Sequence, residues 1–362
     1  MPPPRLLASL SHAIAGLGMP MAGPPTISVI VPVYNGGESF ERCLASIFQA
    51  APPPLEVIVV ADGDADGSWQ MAERWGARVI RLPVAGGPGR ARNDGARIAG
   101  GKILFFIDSD VTVPADAVGR VADLFARDPS LTALIGSYDD EPSSPNFLSQ
   151  YKNLLHHYVH QSAREEASTF WGACGAVRRD AFRALGGFDE SYGRPSIEDI
   201  ELGYRLRQAG HRIFLCKELQ VKHLKRWRVL SLLKSDIFDR AVPWTRLMLK
   251  HRRLLDDLNL RISSRVSALL SFALLAALGG AWWQTTFLAA ALGIGLLLYA
   301  LNAHLYRFFR SKRGGRFALQ ALLWHWFYYL YGGVAFVAGA LSYAACSRAS
   351  RPGKQPSPAG RP

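Results

Sequence analysis

Over the first 225 residues, short apolar runs alternate with segments in which apolar side chains recur at helical spacing. The runs at 27–33, 55–60 and 103–107 are rich in β-branched or aromatic residues and end in residues that favour turns. Residues 38–50, between the first two runs, place their apolar side chains on one helical face. This alternation predicts right-handed βαβ units, and therefore a mostly parallel, Rossmann-like α/β sheet with helices on both faces.

The same pattern predicts further elements before residue 225. Pro114 suits the first turn of a helix that runs to about Arg127. Three histidines, His156, His157 and His160, are expected on a helix surface or in a cleft, because no carboxylates accompany them at metal-binding spacing. The other expected elements are a helix through 75, a strand at 77–82, helices at 90–99 and 147–163, strands at 131–138 and 168–177, a helix at 198–209, and short strands at 212–216 and 219–224.

The chain changes character after residue 225. Residues 226–265 interleave apolar and basic side chains, as in an amphipathic helix that lies in the membrane interface or docks on the preceding domain. Three uncharged runs of about spanning length follow at 266–283, 287–303 and 317–346. We therefore expect about three transmembrane helices at the C-terminal end of the chain.

Charge predicts the orientation of these spans. Gln284-Thr285-Thr286 alone separates the first two runs, whereas five basic residues separate the second from the third. Because basic loops stay on the cytoplasmic side, we expect a multi-pass membrane protein whose large domain is cytoplasmic. A break at Gly332-Gly333 would instead turn the last run into a re-entrant pair.

The basic balance of the chain argues for a membrane and against nucleic acid as its partner. The net charge is +13 and the pI about 9.8. Residues 222–265 hold 12 basic and 4 acidic residues, and no acidic residue follows residue 265. The excess therefore flanks the apolar runs, as expected beside anionic lipid headgroups.

Cysteine usage and the termini add little chemistry. The four cysteines are scattered without a C-x-x-C pair, which gives no sign of a zinc site or a disulfide framework and fits a reducing compartment. The Pro/Gly/Ala-rich residues 1–26 are predicted to be a disordered leader, with a signal peptide as the alternative. The expected units are thus 1–26, an α/β domain at 27–225, an interfacial segment at 226–265, a transmembrane region at 266–346 and a disordered tail at 347–362.

The main chemical signal follows the buried run at 103–107, which leads directly into Asp108-Ser109-Asp110. Alternate side chains of an extended chain point the same way, so both carboxylates are expected to project together from the end of the strand. Open α/β sheets bind their ligands at that edge. Two hard oxygen ligands suit Mg²⁺ or Mn²⁺ holding a phosphorylated substrate, with a solvated turn as the alternative.

Four further motifs lie around Asp108-Ser109-Asp110. They are Val31-Pro32-Val33-Tyr34-Asn35, the loop Asp62-Gly63-Asp64-Ala65-Asp66-Gly67-Ser68, Arg90-Ala91-Arg92-Asn93 and Glu198-Asp199. Together, and in this order along the chain, the five motifs resemble those of glycosyltransferase family 2, whose members share the GT-A fold, over about residues 27–225. The resemblance departs at Asp64, where the family's D-x-S-x-D-G-S loop usually has serine.

The resemblance implies a nucleotide-sugar site and a metal site within a GT-A catalytic domain at 27–225. Asp62 is expected to bond a base N–H, which favours a UDP-sugar, and Arg92 to contact the phosphates or the acidic loop. Asp110 is expected to be the principal ligand of Mn²⁺ or Mg²⁺, with Asp108 bridging ribose and metal. His223 is expected to be either a third metal ligand or a structural histidine. The implied nucleotide-sugar-binding set is Pro32, Val33, Tyr34, Asn35, Asp62, Asp64, Arg92, Asp108 and Ser109.

The acidic pair Glu198-Asp199 implies catalysis by a general base, with Asp199 favoured and Glu198 as its competitor. Such a base takes the proton of an acceptor hydroxyl that attacks opposite the leaving group, which inverts the anomeric centre. An acceptor phosphate is already ionised and needs no base. The pair therefore favours a hydroxyl acceptor over the phosphate used by polyprenyl-phosphate sugar synthases of this family.

The sequence after the predicted domain indicates what kind of product the enzyme makes. Residues 223–227 keep the Arg-Trp of the Q-x-x-R-W motif that processive polysaccharide synthases carry, but begin with histidine. Three spans are also few for a polymer channel. We therefore expect a metal-dependent hexosyltransferase that adds a single sugar to a lipid-linked or membrane-associated acceptor, with a polyprenyl-phosphate sugar synthase or a processive synthase as alternatives.

Two other classes compete with this interpretation. A dehydrogenase on a similar sheet would carry G-x-G-x-x-G after the first strand, where this chain has Pro32-Val33-Tyr34-Asn35. A catalytically inactive membrane scaffold would need no acidic site, yet Asp108, Asp110 and Asp199 are all present. The sequence therefore favours an enzyme.

Overall fold

The computed structural model describes residues 23–251 and 261–349 of the chain. Most of the predicted leader and tail, and part of the predicted interfacial segment, lie outside the described residues.

The strands form one sheet in the order β3-β2-β1-β4-β7-β6-β8-β5. They are β1 (Ile27–Val33), β2 (Glu56–Asp62), β3 (Arg78–Leu82), β4 (Ile103–Ile107), β5 (Val111–Thr112), β6 (Leu131–Tyr138), β7 (Cys174–Arg178) and β8 (Arg212–His223). The helices are α1 (Gly37–Phe48), α2 (Ser68–Arg74), α3 (Pro88–Ile98), α4 (Ala117–Arg127), α5 (Phe147–Ser162), α6 (Arg179–Ala184), α7 (Glu198–Gln208), α8 (Val229–Lys234), α9 (Val242–His251), α10 (Ile262–Gly280) and α11 (Thr286–Ala349).

The first half of the sheet is parallel, as the strand–helix alternation predicts. β1 pairs with β2 and β4, and β2 pairs with β3, all in the same direction. All five residues of β4 are fully buried. Gly95 lets α3 approach this layer closely, because a Cβ there would lie 2.6 Å from Ile30 Cγ2. The carboxyl ends of β1, β2 and β4 therefore meet at one firmly packed edge.

The second half of the sheet is mixed. β7 runs antiparallel to both of its neighbours, β4 and β6, whereas β6 and β8 are parallel. β8 is unbroken, so the prediction of two short strands at 212–216 and 219–224 is wrong. The polar pair Lys217-Glu218 resembles a turn, but a register shift against β6 absorbs it within the strand. The strand predicted at 168–177 is also shorter than expected, since only its last residues pair.

The C-terminal helices α10 and α11 are long and apolar enough to cross a membrane. Gly314 has non-helical backbone angles (φ 81°, ψ 175°) and divides α11 into two arms. The three predicted runs consequently fall on α10 and on the two arms of α11. The alternative break at Gly332-Gly333 is wrong, because α11 continues as helix through both glycines.

A π-helical turn at Ser235–Ala241 joins these helices to the α/β domain. Its Asp236 is buried and accepts hydrogen bonds from Lys152 Nζ of α5 at 2.5 Å and from Tyr331 Oη of α11 at 2.7 Å. The segment predicted as one amphipathic helix is therefore interrupted. Among its described residues it consists of α8, this turn, α9 and the start of α10.

Candidate active site

The loops after β1 and β2 are tied together at the parallel edge of the sheet. Asn35 adopts a left-handed backbone conformation (φ 51°), which asparagine tolerates better than most residues. Its Oδ1 accepts a hydrogen bond from the Ala65 amide at 2.8 Å. Asp66 completes the link, because its Oδ2 accepts from the Gly37 amide at 3.0 Å. The two motifs predicted to hold a nucleotide thus form one surface.

The predicted nucleotide-binding residues of this surface differ in exposure. Pro32 and Val33 are buried within β1, where they support the strand. Tyr34 is 60% exposed at the edge. Asp64 Oδ2 accepts a hydrogen bond from the Trp69 amide at 3.3 Å, at the first turn of α2. Of these four side chains, the tyrosine is therefore the most open to a ligand.

Asp62 lies at the end of β2 and is only 5% exposed. Its two oxygens accept hydrogen bonds from the amides of Gly86 at 2.7 Å and Gly87 at 2.8 Å, which fixes the loop before α3. A carboxylate has about four lone-pair positions. Asp62 therefore retains acceptor capacity, and its contact with a base N–H stays a prediction.

Arg92 connects two of the predicted acidic groups. Its guanidinium is nearly buried and donates to Asp108 Oδ1 at 2.6 Å and to Glu198 Oε1 at 2.9 Å. Burial alone would lower the pKa of Arg92, but the charges of Asp108, Glu198 and Asp199 raise it above its ordinary value. The group therefore stays positive. The structure places it against acidic side chains, one of the two kinds of partner predicted for it.

Asp108 and Asp110 make different close contacts. A turn through Ser109 follows the end of β4, closed by a hydrogen bond from the Val111 amide to the Asp108 carbonyl at 3.2 Å. The prediction of extended chain through both carboxylates is therefore wrong. Asp108 pairs with Arg92, whereas Asp110 turns toward the end of β8.

Asp110 and His223 are the predicted metal ligands that the structure brings together. Asp110 Oδ2 lies 3.6 Å from His223 Nε2. Burial would raise the pKa of Asp110, but the hydrogen bond and charge of His223, with the charge of Lys225, lower it to about 2. The carboxylate is thus ionised at any physiological pH and available as a ligand.

This pair fits a divalent cation. Two ligands of one ion, each about 2.0–2.2 Å from it, lie within about 4 Å of each other, and a carboxylate with an imidazole suits Mn²⁺. Asp108 Oδ1 is taken by Arg92 instead. Within residues 23–251 and 261–349, no three acidic, histidine or cysteine side chains form a ready-made cluster. Asp110 and His223 would therefore be the protein's main ligands.

Asp199 is the predicted residue best placed to act as a base. Its half-buried carboxylate accepts a hydrogen bond from the Gly172 amide at 3.0 Å. Burial, and then the negative charge of Glu198, raise the pKa of Asp199 to about 6, a useful value for a base near neutral pH. Glu198 is 4% exposed, and its oxygens bond Arg92 and the Ser196 amide. The geometry therefore favours Asp199 over Glu198.

An aromatic wall that sequence reasoning missed stands beside these groups. Tyr138 stacks on His223 with 4.4 Å between ring centroids, and Trp171 meets Tyr138 edge-on at 4.8 Å. Half-buried His156 packs against Tyr138 and Trp171 with 4.7 and 4.9 Å between ring centroids, so it belongs to the aromatic wall, and its place in an acceptor cleft stays a prediction. His160 is instead buried, with Nδ1 3.1 Å from a backbone oxygen of β6. Flat rings of this kind suit the apolar face of a sugar.

His157 is buried as well, so a helix-surface position is wrong for it. Only 8% of the residue is exposed, and its Nδ1 lies 2.7 Å from the Tyr138 carbonyl oxygen. Helical spacing could not show this, because α5 is covered on more than one face. The sheet packs on one side, and Phe308 of α11 stacks on His157 at 5.8 Å.

The π-helical turn reaches the same cleft from the C-terminal side. Ser196 Oγ donates to the Asp239 carbonyl at 2.9 Å, which fastens the turn to the segment before Glu198. The next residue, Arg240, is exposed, and its charge lowers the pKa of Asp199 against the burial that raises it. A cation from outside the predicted 27–225 domain thus acts on the proposed base. Sequence reasoning missed Arg240, because it is one of many basic residues in its segment.

Residues 28–186 match the family model described as Glycosyl transferase family 2. The matched region contains Arg92, the Asp108–Asp110 turn and the strands from β1 to β7. The chain carries a glycosyl transferase family 2 domain. The family predicted from the five motifs is confirmed, although the acidic pair of α7 lies beyond the matched residues.

Known relatives of this family 2 domain include two glucosyltransferases. Validoxylamine A glucosyltransferase of Streptomyces hygroscopicus subsp. limoneus is 27% identical over 243 residues, which cover 55% of this chain and 52% of that enzyme. Poly(ribitol-phosphate) beta-glucosyltransferase of Bacillus spizizenii is 32% identical over 102 residues, 26% of this chain and 16% of that enzyme. The chain thus spans about half the length, or less, of these relatives.

A solved structure shares the fold over nearly the whole chain. Mannosyltransferase PcManGT from Pyrobaculum calidifontis, determined in complex with GDP-Man and Mn²⁺, superposes with a TM-score of 0.54. The two are 19% identical, and the match covers 93% of this chain and 94% of that one. The predicted GT-A fold is confirmed, with a curled mixed sheet in place of a mostly parallel one.

Proposed function

We propose that the protein is a metal-dependent, inverting hexosyltransferase. It moves a single sugar from a nucleoside-diphosphate sugar, with a UDP-sugar favoured, to a hydroxyl of a lipid-linked or membrane-associated acceptor. The observation that carries the proposal is the cluster in which Arg92 joins Asp108 and Glu198 beside half-buried Asp199. The family 2 domain and its glucosyltransferase relatives support glycosyl transfer as the reaction.

The donor binds, in this proposal, along the carboxyl edge of β1, β2 and β4. Tyr34 presents an exposed ring there, and Asp62 has acceptor capacity for the N–H of uracil. One oxygen of Asp108 is held by Arg92, which leaves the other for a ribose hydroxyl. PcManGT was solved with GDP-Man, so guanine is the alternative base.

Asp110 and His223 hold the divalent cation, with Mn²⁺ favoured by the imidazole ligand. When bound, a divalent cation supplies charge neutralisation for the departing diphosphate. Asp110 is ionised, and the ring of Tyr138 stacked on His223 keeps that imidazole in place. PcManGT, whose structure was determined with Mn²⁺, supports the choice of metal.

Asp199 takes the proton from the acceptor hydroxyl. The acceptor oxygen forms a bond to the anomeric carbon while the bond from that carbon to the diphosphate oxygen breaks on the opposite face. The electron pair leaves with the nucleoside diphosphate, and the proton ends on the Asp199 carboxylate. Attack opposite the leaving group inverts the anomeric configuration.

The acceptor reaches this cleft from the membrane. α10 and α11 are long and apolar enough to cross a bilayer, and the turn at Ser235–Ala241 links them to the cleft. The basic residues between the second and third apolar runs support a multi-pass arrangement with the catalytic domain in the cytoplasm. An ionised lipid phosphate would need no base, so a required Asp199 supports a hydroxyl acceptor.

Substitution of the proposed base tests the function. With Mn²⁺, UDP-sugars and a membrane extract, the purified full-length protein should release UDP. Asp199→Asn should lower transfer at least about 10²-fold, because general-base catalysis contributes 10²–10⁴-fold. Binding of UDP, measured by calorimetry, should persist, because Asp199 touches the acceptor and not the nucleotide.

The matched control is Asp180→Asn, an exposed aspartate at the start of α6, which should leave transfer unchanged. A panel of UDP- and GDP-sugars in the same assay identifies the donor. No nucleotide release from any donor would favour the inactive scaffold. Loss of UDP binding in Asp199→Asn would show that the residue is misassigned as the base.

A further inference from the structure

Two pockets lie side by side where the family 2 domain meets α11. The first is polar, about 350 Å³ in volume, and its lining includes two arginines and one glutamate. The second is an apolar groove of about 480 Å³ between the start of α5 and the second arm of α11. The polar pocket is lined by Glu38, Ser39, Arg42, Ser143, Ser144, Pro145, Asn146, Leu224 and Arg226. The groove is lined by Phe147, Gln320, Leu323, Trp324 and Phe327.

The two pockets share one thin wall. Asn146 lines the polar pocket and the next residue, Phe147, lines the groove. Arg226 likewise lines the polar pocket, while Trp227 behind it packs with Phe147 and Trp324 of the groove. A hydrogen bond from Asn146 Nδ2 to the Trp227 carbonyl at 2.8 Å joins the two halves of the wall. A ligand with a polar end and an apolar chain therefore finds both environments next to each other.

Polar atoms of this wall lack partners. Asn146 Oδ1 and the indole nitrogens of Trp227 and Trp324 are buried without a hydrogen bond in the part of the chain that the structure describes. Trp227 itself is only 6% exposed. A buried polar group without a partner costs about 1–3 kcal/mol. The hydrogen bonds among the described residues therefore leave this wall incompletely satisfied.

The second arm of α11 supplies the apolar side of the groove. Leu323 lines the groove and is 60% exposed, whereas Leu319, one turn earlier and 61% exposed, does not line it. This arm begins at Gly314, beside Arg313, whose Nε donates to Gln150 Oε1 at 2.7 Å. Gln150 in turn donates to the Ser144 carbonyl, in the loop that lines the polar pocket, at 2.8 Å. The polar pocket therefore lies near the break of α11, and Leu323 lies about 14 Å farther along the helix.

We propose that this junction binds an anionic membrane lipid, with its phosphate headgroup in the Arg42–Arg226 pocket and an acyl chain in the groove beside Leu323 and Trp324. The positive excess of the pocket selects a negative headgroup. Leu323, exposed in the groove on a helix apolar enough to cross a membrane, selects a hydrocarbon chain. The proposal relies on the proposed function only for the presence of a membrane, and the lipid is distinct from the sugar acceptor.

Titration of the detergent-solubilised full chain with short-chain phosphatidylglycerol tests the site. We expect saturable thermal stabilisation by phosphatidylglycerol, and little by phosphatidylcholine or inorganic phosphate of equal concentration. Arg42→Gln/Arg226→Gln should raise the half-saturating concentration roughly 25-fold, about fivefold for each arginine. Arg310→Gln, an exposed arginine of α11 outside both pockets, is the control and should leave it unchanged.

A matched pair of leucine variants tests whether an acyl chain occupies the groove. Leu323→Ala should weaken binding about three- to tenfold through the lost apolar area, whereas Leu319→Ala should not, although both leucines are equally exposed. Equal stabilisation by phosphatidylcholine, or by phosphate alone, would overturn the proposal. So would equal effects of the two leucine variants. The lipid titration does not measure sugar transfer. If the lipid binds selectively but the separate transfer assay detects no nucleotide release, the proposed function is refuted and the lipid site stands.

Discussion

Arg92 and Asp199 show how burial acts differently on two charged residues of one site. Arg92 is buried against Asp108 and Glu198, whose charges outweigh the cost of burying the guanidinium. Asp199 has two backbone amides, those of Gly172 and Ile200, as its close partners and a second carboxylate nearby, so burial prevails and its pKa rises to about 6. The first group is a fixed support. The second is the one that titrates near physiological pH.

The pH profile of transfer should therefore show an acid limb near pH 6. Below that value Asp199 becomes protonated and cannot accept the acceptor's proton, so kcat/KM should fall about tenfold per pH unit. Above it the carboxylate is ionised and the rate should level off. The measurement is kcat/KM from pH 4.5 to 8 at constant ionic strength, and a limb near pH 4 would contradict the raised pKa.

Arg240→Gln should move that limb to higher pH. The positive charge of Arg240 lowers the pKa of Asp199, so its removal lets the pKa rise further. Lys234→Gln is the control, because Lys234 is an exposed cation at the end of α8, before the turn that carries Arg240. If both variants keep the wild-type limb, Arg240 does not act on the base.

At the scale of elements, α7 and the segment before β7 carry the site together. Gly203 in α7 lies so close to this segment that a Cβ would meet the Phe170 amide nitrogen at 2.2 Å. The same segment supplies Trp171 to the aromatic wall and the Gly172 amide to Asp199. The position of the base therefore depends on a contact that only glycine permits.

Gly203→Ala should disturb both stability and activity. Overpacking at such a contact costs about 1–3 kcal/mol, so the thermal midpoint should fall by several degrees and kcat/KM should fall with it. Gly293→Ala is the control, since no atom lies within 4 Å of a Cβ at that helical position. An unchanged midpoint would mean that the two backbones can separate without cost.

At this scale, the sequence predicts the features that depend on residues close together along the chain. Apolar periodicity is local, and it correctly predicts the parallel strands and the helices between them. The antiparallel β7 and the bulged β8 depend on which strands become neighbours, and this is decided by long-range packing. The motif residues were found because each motif is contiguous. Tyr138, Trp171 and Arg240 are contributed singly by distant elements, so no local pattern marks them.

At the scale of the whole molecule, Asp236 connects three parts of the chain. It bonds Lys152 of the family 2 domain and Tyr331 of α11 while it lies in the π-helical turn that also contacts the segment before Glu198. The side chains of Lys152 and Asp236 are both largely buried. Asp236 is therefore one link between the C-terminal helices and the proposed catalytic site.

Asp236→Asn should loosen this link, because it leaves the Lys152 ammonium without its buried counter-charge. Breaking a buried pair costs about 3–5 kcal/mol. Hydrogen exchange should accelerate in α5 and the π-helical turn, and Lys152→Met in the same chain should recover part of the loss. Asp123→Asn, which removes an exposed pair with Arg127, should have no such effect. Equal exchange in Asp236→Asn and wild type would contradict the link.

The chain from His223 to Trp227 is short, and its length limits the distance between these two residues. His223 ends β8 at the proposed metal, and Trp227 is already packed against α11. Four residues can span at most about 14 Å even when fully extended. Under the proposed function, this short path would hold the reacting centre at a nearly constant height above the bilayer. Acceptors would then be selected by the length of the spacer between their lipid and their hydroxyl, before any sugar-specific contact is made.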